Sequence, residues 1–227
     1  MKKLYLATLL MFLAQFGVGQ QAAAPVDRPP EPNMVFDDDG GKVQIVPSDL
    51  SAAAPKKFHG GAVLKSAQQV SIFLGSGWAD TSIRVRQRSL GDLSTSAANS
   101  QLGELAAHKI SLIPAAPISE DFSELSKTSL NDLDIQRKLQ QMLDSKAIPA
   151  PSASTIYVVF LAPGAASTLG GNKAGIDYAA YHNVVNLEAG EVRYVVVPFH
   201  QDAQLQAAAA ARSFAEATLN PTGQGWF

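Results

Sequence analysis

The run Thr155-Ile156-Tyr157-Val158-Val159-Phe160-Leu161 contains no charge, no glycine and no proline, and it is dominated by β-branched and aromatic side chains. A strand with one wet face alternates apolar and polar residues; an uninterrupted apolar run predicts a strand covered on both faces. The chain must therefore supply a layer above and a layer below this strand. Other segments answer that demand. Gln69 to Leu74, closed by Gly75-Ser76-Gly77, reads as a first strand, and Asp80 or Thr81 caps a helix with Ile83, Gln87 and Leu90 at helical spacing. Asp132 to Ala147 carries a stripe of Leu133, Leu139 and Leu143, with Asn131 or Asp132 as cap and Pro149 and Pro151 as stop. Tyr178 to Asn186 and Val192 to Phe199 read as two strands around a Glu188-to-Glu191 turn, and a last helix runs from near Asp202 to Leu219 before Asn220-Pro221-Thr222-Gly223. This alternation predicts an α/β (α+β) fold: a single mixed β-sheet flanked by helices. Ser94 to Ser129 shows only a short helix or strand between Leu102 and Ile113, and Ala162 to Gly175 reads as a flexible surface loop. That loop has neither the spaced glycines of a dinucleotide site nor a Gly-Lys-Ser/Thr.

The amino terminus belongs to export rather than to the fold. Met1-Lys2-Lys3, the apolar run Leu4 to Val18 and the small residues Ala22 to Ala24 make a signal peptide over residues 1–23. About 15 apolar residues fall short of the ~20 that span a bilayer, so the membrane is met only through this peptide during export. Residues 24–57 read as a disordered linker, with Pro25, Pro29, Pro30 and Pro32 ahead of Asp37-Asp38-Asp39. Within it Lys42 to Val46 alternates like a short edge strand that can dock on the domain. The domain proper is expected over 58–227, in a secreted or periplasmic location.

Charge and composition narrow the chemistry. With 18 Lys+Arg against 20 Asp+Glu there is no net drive towards phosphate backbones, so nucleic acid is not an expected partner. The absence of cysteine removes thiolate nucleophiles and thiolate metal sites. No Gly-x-Ser-x-Gly elbow is present. Of the four histidines, His182 and His200 together with Glu216 form a chemically acceptable zinc set, while each is equally explained as a strand-end hydrogen bond. Arg84, Arg86 and Arg88 read as a solvated helix face. Trp78, Tyr178, Tyr181 and Trp226 are candidates for a sugar platform, with core packing as the competing role.

Several short motifs occur in a telling order. Phe58-His59-Gly60-Gly61-Ala62-Val63-Leu64 precedes an apolar strand ending in Gly75-Ser76-Gly77-Trp78; Val197-Pro198-Phe199-His200 follows, and Ala215-Glu216-Ala217-Thr218-Leu219-Asn220-Pro221 leads to Gly225-Trp226-Phe227. In this order they resemble the EXORDIUM (phosphate-induced protein 1) family. The resemblance implies a secreted protein without a settled reaction. Several relatives carry His-Glu-Leu-Ala-Glu on the last helix, which looks like a zinc-peptidase helix, and the order of elements is similar to the zincin topology. Here the corresponding residues are Arg212-Ser213-Phe214-Ala215-Glu216. A guanidinium has no lone pair for zinc, and a serine hydroxyl does not deprotonate metal-bound water at neutral pH. The resemblance thus implies a degenerate site with no catalytic residues and no cofactor. In this reading Arg212 and Glu216, spaced i,i+4, either replace the ion or form an exposed helical pair. Relatives continue with an acidic segment beyond the Trp-Tyr pair whose place Trp226-Phe227 takes, so ligands from that segment are not expected. Two functions follow as expectations. One is a non-catalytic binding domain for an envelope or extracellular ligand, polysaccharide or protein. The other is a metal-dependent hydrolase using zinc on His182, His200 and Glu216.

Overall fold

The computed structural model describes residues 33–50, 60–95, 100, 102–123, 125 and 128–222. The signal peptide read at 1–23, the motif residues Phe58 and His59, and Trp226 lie outside the described residues. The strands are β1 (Met34–Phe36), β2 (Lys42–Pro47), β3 (Ser66–Leu74), β4 (Ser111–Ile113), β5 (Ser119–Asp121), β6 (Ser129–Leu130), β7 (Thr155–Leu161), β8 (Ala166–Leu169), β9 (Asn172–Lys173), β10 (Tyr178–Leu187) and β11 (Gly190–Val197). The helices are α1 (Arg84–Gly91), α2 (Gly103–Ala107), α3 (Asp132–Asp144) and α4 (Ala203–Leu219).

Eight strands form one mixed sheet in the order β1-β2-β10-β11-β7-β3-β4, with β5 also on the outer edge of β3. β11, β7 and β3 are parallel, and β7 is buried along its whole length as its apolar run requires. β10 is antiparallel to both β11 and β2. α1, α2 and α4 cover one face, through Leu90, Leu93, Leu102, Leu105 and Phe214 against Phe73, Val158, Phe160 and Val195. α3 covers the other, through Ile135, Leu139, Met142 and Leu143 against Ile72, Tyr157, Val159 and Tyr194. The chain leaves β3 over one face towards β4 and returns under the other to β7, so the switch in winding direction falls between β3 and β7.

Local chemistry sets the helix ends. Asn131 and Asp134 make a reciprocal capping box at α3. Asp202 accepts from the amides of Gln204 and Leu205 at α4, and these bonds hold its carboxyl below the ordinary range. Asp80 caps a single 3-10 turn, Thr81–Ile83, that runs directly into α1. α4 presents Ala209, Ala210, Ala211, Ala215 and Ala217 to the core, small side chains that let the helix lie close on the sheet.

Several expectations need correction. The alternating segment Lys42 to Val46 is indeed a strand, but β2 sits inside the sheet, between β1 and β10, and Met34–Phe36 pairs outside it. Both lie in the stretch read as a disordered linker, because three- to six-residue strands carry too little apolar surface to stand out beside prolines and aspartates. A second small sheet, β6-β8-β9, joins the large one, so the sheet is not single. Its strands β8 and β9 occupy the stretch expected to be a flexible loop. Leu169 pairs with Asn172 around Gly170-Gly171, whose φ values of 50° and 91° suit a two-residue hairpin turn. A Cβ on Gly170 would collide with the carbonyl of Phe36, so this turn is also a packing contact. Among the described residues no helix is long and apolar enough to cross a membrane.

Candidate functional site: a buried ion pair on the last helix

Arg212 and Glu216 sit one turn apart on α4, with side chains only 11% and 9% exposed. Arg212 Nε donates to Glu216 Oε1 at 3.2 Å, and Nη1 donates to the carbonyl of Leu50 at 3.1 Å. Leu50 lies just beyond β2, so the guanidinium ties the β2 exit to the last helix. Between them Ser213 is completely buried, and its Oγ has no hydrogen-bond partner among the described residues. The pair is therefore part of the interior rather than a solvated i,i+4 bridge. Losing either partner breaks an ion pair inside the protein, which costs more than losing one at the surface.

The histidines fall at the two ends of this helix. His200 Nδ1 accepts from the amide of Asp202, the α4 N-cap, at 3.1 Å. His182 is buried on β10 with Nε2 3.4 Å from the carbonyl oxygen of Asn220, the α4 C-cap. A helix of 17 residues is about 25 Å long, so His182 and His200 are not brought together. Glu216 belongs to the His182 end, since its carbonyl accepts from the Asn220 amide. Among the described residues there is no group of three or more His, Asp or Glu arranged to hold a metal ion. His182, His200 and Glu216, offered as a zinc set, are therefore not gathered into one coordination sphere. His108 is exposed on the turn after α2.

The family-like motifs do converge, though on packing. Trp78 Nε1 donates to the carbonyl of Phe160 at 3.0 Å, and its ring meets Phe73 and Phe199 edge-on at 4.9 and 5.8 Å. Arg86 lies over the Phe199 ring at 4.8 Å and donates to the carbonyls of His200 and Gln201 at 2.7 and 2.8 Å. It is thus a staple, not part of the solvated face that its spacing implied. Pro198 contributes its carbonyl to Gln206 Nε2. Gly75, at φ 102°, lies so close that a Cβ would stand 2.8 Å from Ala162 Cβ. Open α/β sheets bind ligands at the switch point beyond the carboxyl ends of their strands; here Gly75, Gly77 and Trp78 fill that crevice. At the far end of α4, Asn220 Nδ2 donates to Gln44 Oε1, and Pro221 borders the same cleft as His182. Gly60 and Gly61 precede Leu64, whose amide donates to Thr218 near that end. Trp78, Tyr178 and Tyr181 are fully buried, so they offer no sugar platform.

Sequence reasoning missed a second buried carboxylate. Asp132, read as a helix cap, is 2% exposed. Its Oδ2 accepts from Tyr194 OH at 2.7 Å, Gln136 Nε2 at 2.8 Å and Asn183 Nδ2 at 3.0 Å. Its Oδ1 and the Tyr181 hydroxyl have no other partner within hydrogen-bond distance among the described residues, and the two groups feel each other's charge. Burial pushes the phenols of Tyr181 and Tyr194 well above their ordinary range, and the Asp132 charge adds to this. The available signal was the tyrosines of the β10–β11 hairpin, whose bulk and polar tips call for a polar partner on the helix packed beneath them.

Comparison of the chain with protein-family models, with curated proteins and with solved structures finds no match. The functional reading therefore rests on residues and geometry.

Proposed function

We propose that this chain is an exported, non-catalytic binding domain of EXORDIUM type, with a zincin-like layout whose metal centre is replaced by the Arg212–Glu216 pair. The observation that carries this reading is the burial of that pair. Arg212 occupies the helix position at which a metal-bearing relative has its first histidine, and two acceptors, Glu216 and the Leu50 carbonyl, bind its guanidinium. The placement of α4 against β10, β11 and β7 supports the layout, since it puts the arginine between helix and sheet edge rather than in solvent. A site of this kind holds shape and charge but does not activate water. Its ligand is then an envelope or extracellular polysaccharide or protein, met after export.

The test is elemental analysis of the purified protein, together with peptidase assays before and after chelation. Substoichiometric zinc and no chelator-sensitive cleavage are expected. One tightly held ion per chain, with cleavage that chelators abolish and zinc restores, would overturn the reading. Fractionation of cells producing the full chain should place it outside the cytoplasm, shortened at its amino terminus.

A further inference from the structure

A cleft of about 100 Å³ lies at the opposite end of α4 from the ion pair, between that helix, the β10–β11 strands and the β8–β9 hairpin. Ala165, Ala174, Ala179 and Ala209 wall it, and Phe199 and His200 close one side. Protein interiors leave few voids larger than a water molecule, so an apolar hollow of this size is room for a ligand group. It has about two-thirds the volume of an engineered 150 Å³ cavity that takes benzene, which suits a body of four or five carbons.

The polar groups on the wall define the rest of the ligand. Gln206 is anchored at both ends of its amide: its Nε2 donates to the Pro198 carbonyl, and its Oε1 accepts from Arg86 Nη1, each at 3.3 Å. His200 keeps a whole ring nitrogen uncommitted. Its Nδ1 is held as an acceptor by the Asp202 amide, so the neutral ring carries its proton on Nε2. That N–H has no partner among the described residues. Arg86 fixes the backbone that follows the ring by binding the carbonyls of His200 and Gln201, so the donor is positioned before any ligand arrives. The Asp202 carboxylate beside His200 disfavours a second negative charge.

From this we infer that the cleft binds a small neutral carbonyl compound, a ketone, lactone or amide with four or five carbons. The apolar body lies among the alanines and the oxygen accepts from His200 Nε2–H. The inference does not depend on the Arg212–Glu216 reading.

The experiment is an NMR titration of the isotope-labelled full chain with cyclopentanone. Saturable shifts are expected at Ala165, Ala174, Ala179, Ala209 and His200, with a dissociation constant in the millimolar range set by so few ligand atoms. His200→Phe keeps the ring and loses the donor, and should weaken binding about fivefold, whereas His200→Gln retains a donor and should stay within about twofold. Ala166→Leu, at the exposed rim of the cleft, should block entry without changing Tm. Pentanoate should bind more weakly than cyclopentanone. The inference is overturned if these signals stay still up to the solubility limit of cyclopentanone. Shifts spread over the whole surface without saturation, pentanoate binding at least as tight, or equal affinity of His200→Phe would overturn it too.

Discussion

Among the described residues the two faces of the sheet each bury one carboxylate, and they do so by opposite means. On the α4 face Glu216 is matched by a cation, and the pair reaches out to a backbone carbonyl. On the α3 face Asp132 receives bonds from a phenol and two amides, all neutral, at the first turn of a helix whose dipole favours negative charge. The difference teaches where the polar specificity of each layer resides. An ion pair concentrates it in two charged side chains, so one substitution removes the matched charge at once. A neutral donor shell spreads it over a strand hairpin and a helix, so single losses are partial but the shell responds to alkali.

That last property gives the largest expected effect and the cleanest separation of the two faces. All four tyrosines among the described residues, Tyr157, Tyr178, Tyr181 and Tyr194, pack on the α3 face. Burial pushes Tyr157 up to about 12 and raises the other three well above their ordinary range. In the unfolded chain these phenols ionise near 10. Below that value both states hold their protons and stability does not change. Above it the unfolded chain loses protons that the folded one keeps, so stability falls as pH rises, by on the order of several kcal/mol together by pH 11. Chemical denaturation at pH 9 and pH 11, with phenolate absorbance recorded in the same samples, checks this. Phenolate appearing at pH 10 in a still folded protein would mean that the α3 face is wetter than its packing implies.

The ion pair should yield the next largest effect. Arg212→Ala leaves Glu216 buried without its guanidinium and should cost about 3 kcal/mol or more. Joint replacement of Arg212 and Glu216 by leucine should recover most of that loss, because an apolar pair needs no mutual neutralisation. Urea unfolding of the single and double variants measures both. A cost below about 1 kcal/mol for Arg212→Ala would mark the pair as a solvated bridge, and the contrast between the faces would disappear.

How far these two sites could be read in advance depends on how local their causes are. The i,i+4 spacing of Arg212 and Glu216 is local, and so is the apolar run of β7; both are visible as written. The burial of the pair is not, because it depends on Leu50, which returns to α4 from a segment that looks like linker. The same holds for Gly170-Gly171. Small residues show no hydrophobic period, and the reason for glycine there is the carbonyl of Phe36, far away in the chain. His182 lies on β10 and His200 just beyond the end of the adjacent β11, yet the helix that follows sends its two ends to different histidines. Asp132 looked like a cap because its position before a helical stripe is a cap position; its tyrosine partner on the neighbouring hairpin is revealed only by register.

Asp132 itself provides a smaller effect than Arg212. Asp132→Ala removes the acceptor shared by Tyr194, Gln136 and Asn183 and should cost about 2 kcal/mol, since these donors can in part re-pair with one another. Asp132→Asn keeps one acceptor oxygen and should cost about half as much. An equal loss for both variants would show that the charge, rather than the acceptor, matters, and would make the two faces more alike than their partners suggest.

Ser213 tests the α4 face at its finest grain. Its hydroxyl is fully buried and unpartnered, so it contributes a desolvation penalty and no bond. Ser213→Ala removes that penalty, replaces serine by the better helix former and leaves a void no larger than one oxygen atom, so stability should rise by up to about 1 kcal/mol. A loss of stability would instead point to an ordered water on Ser213 Oγ, and the interior around the ion pair would then be wet.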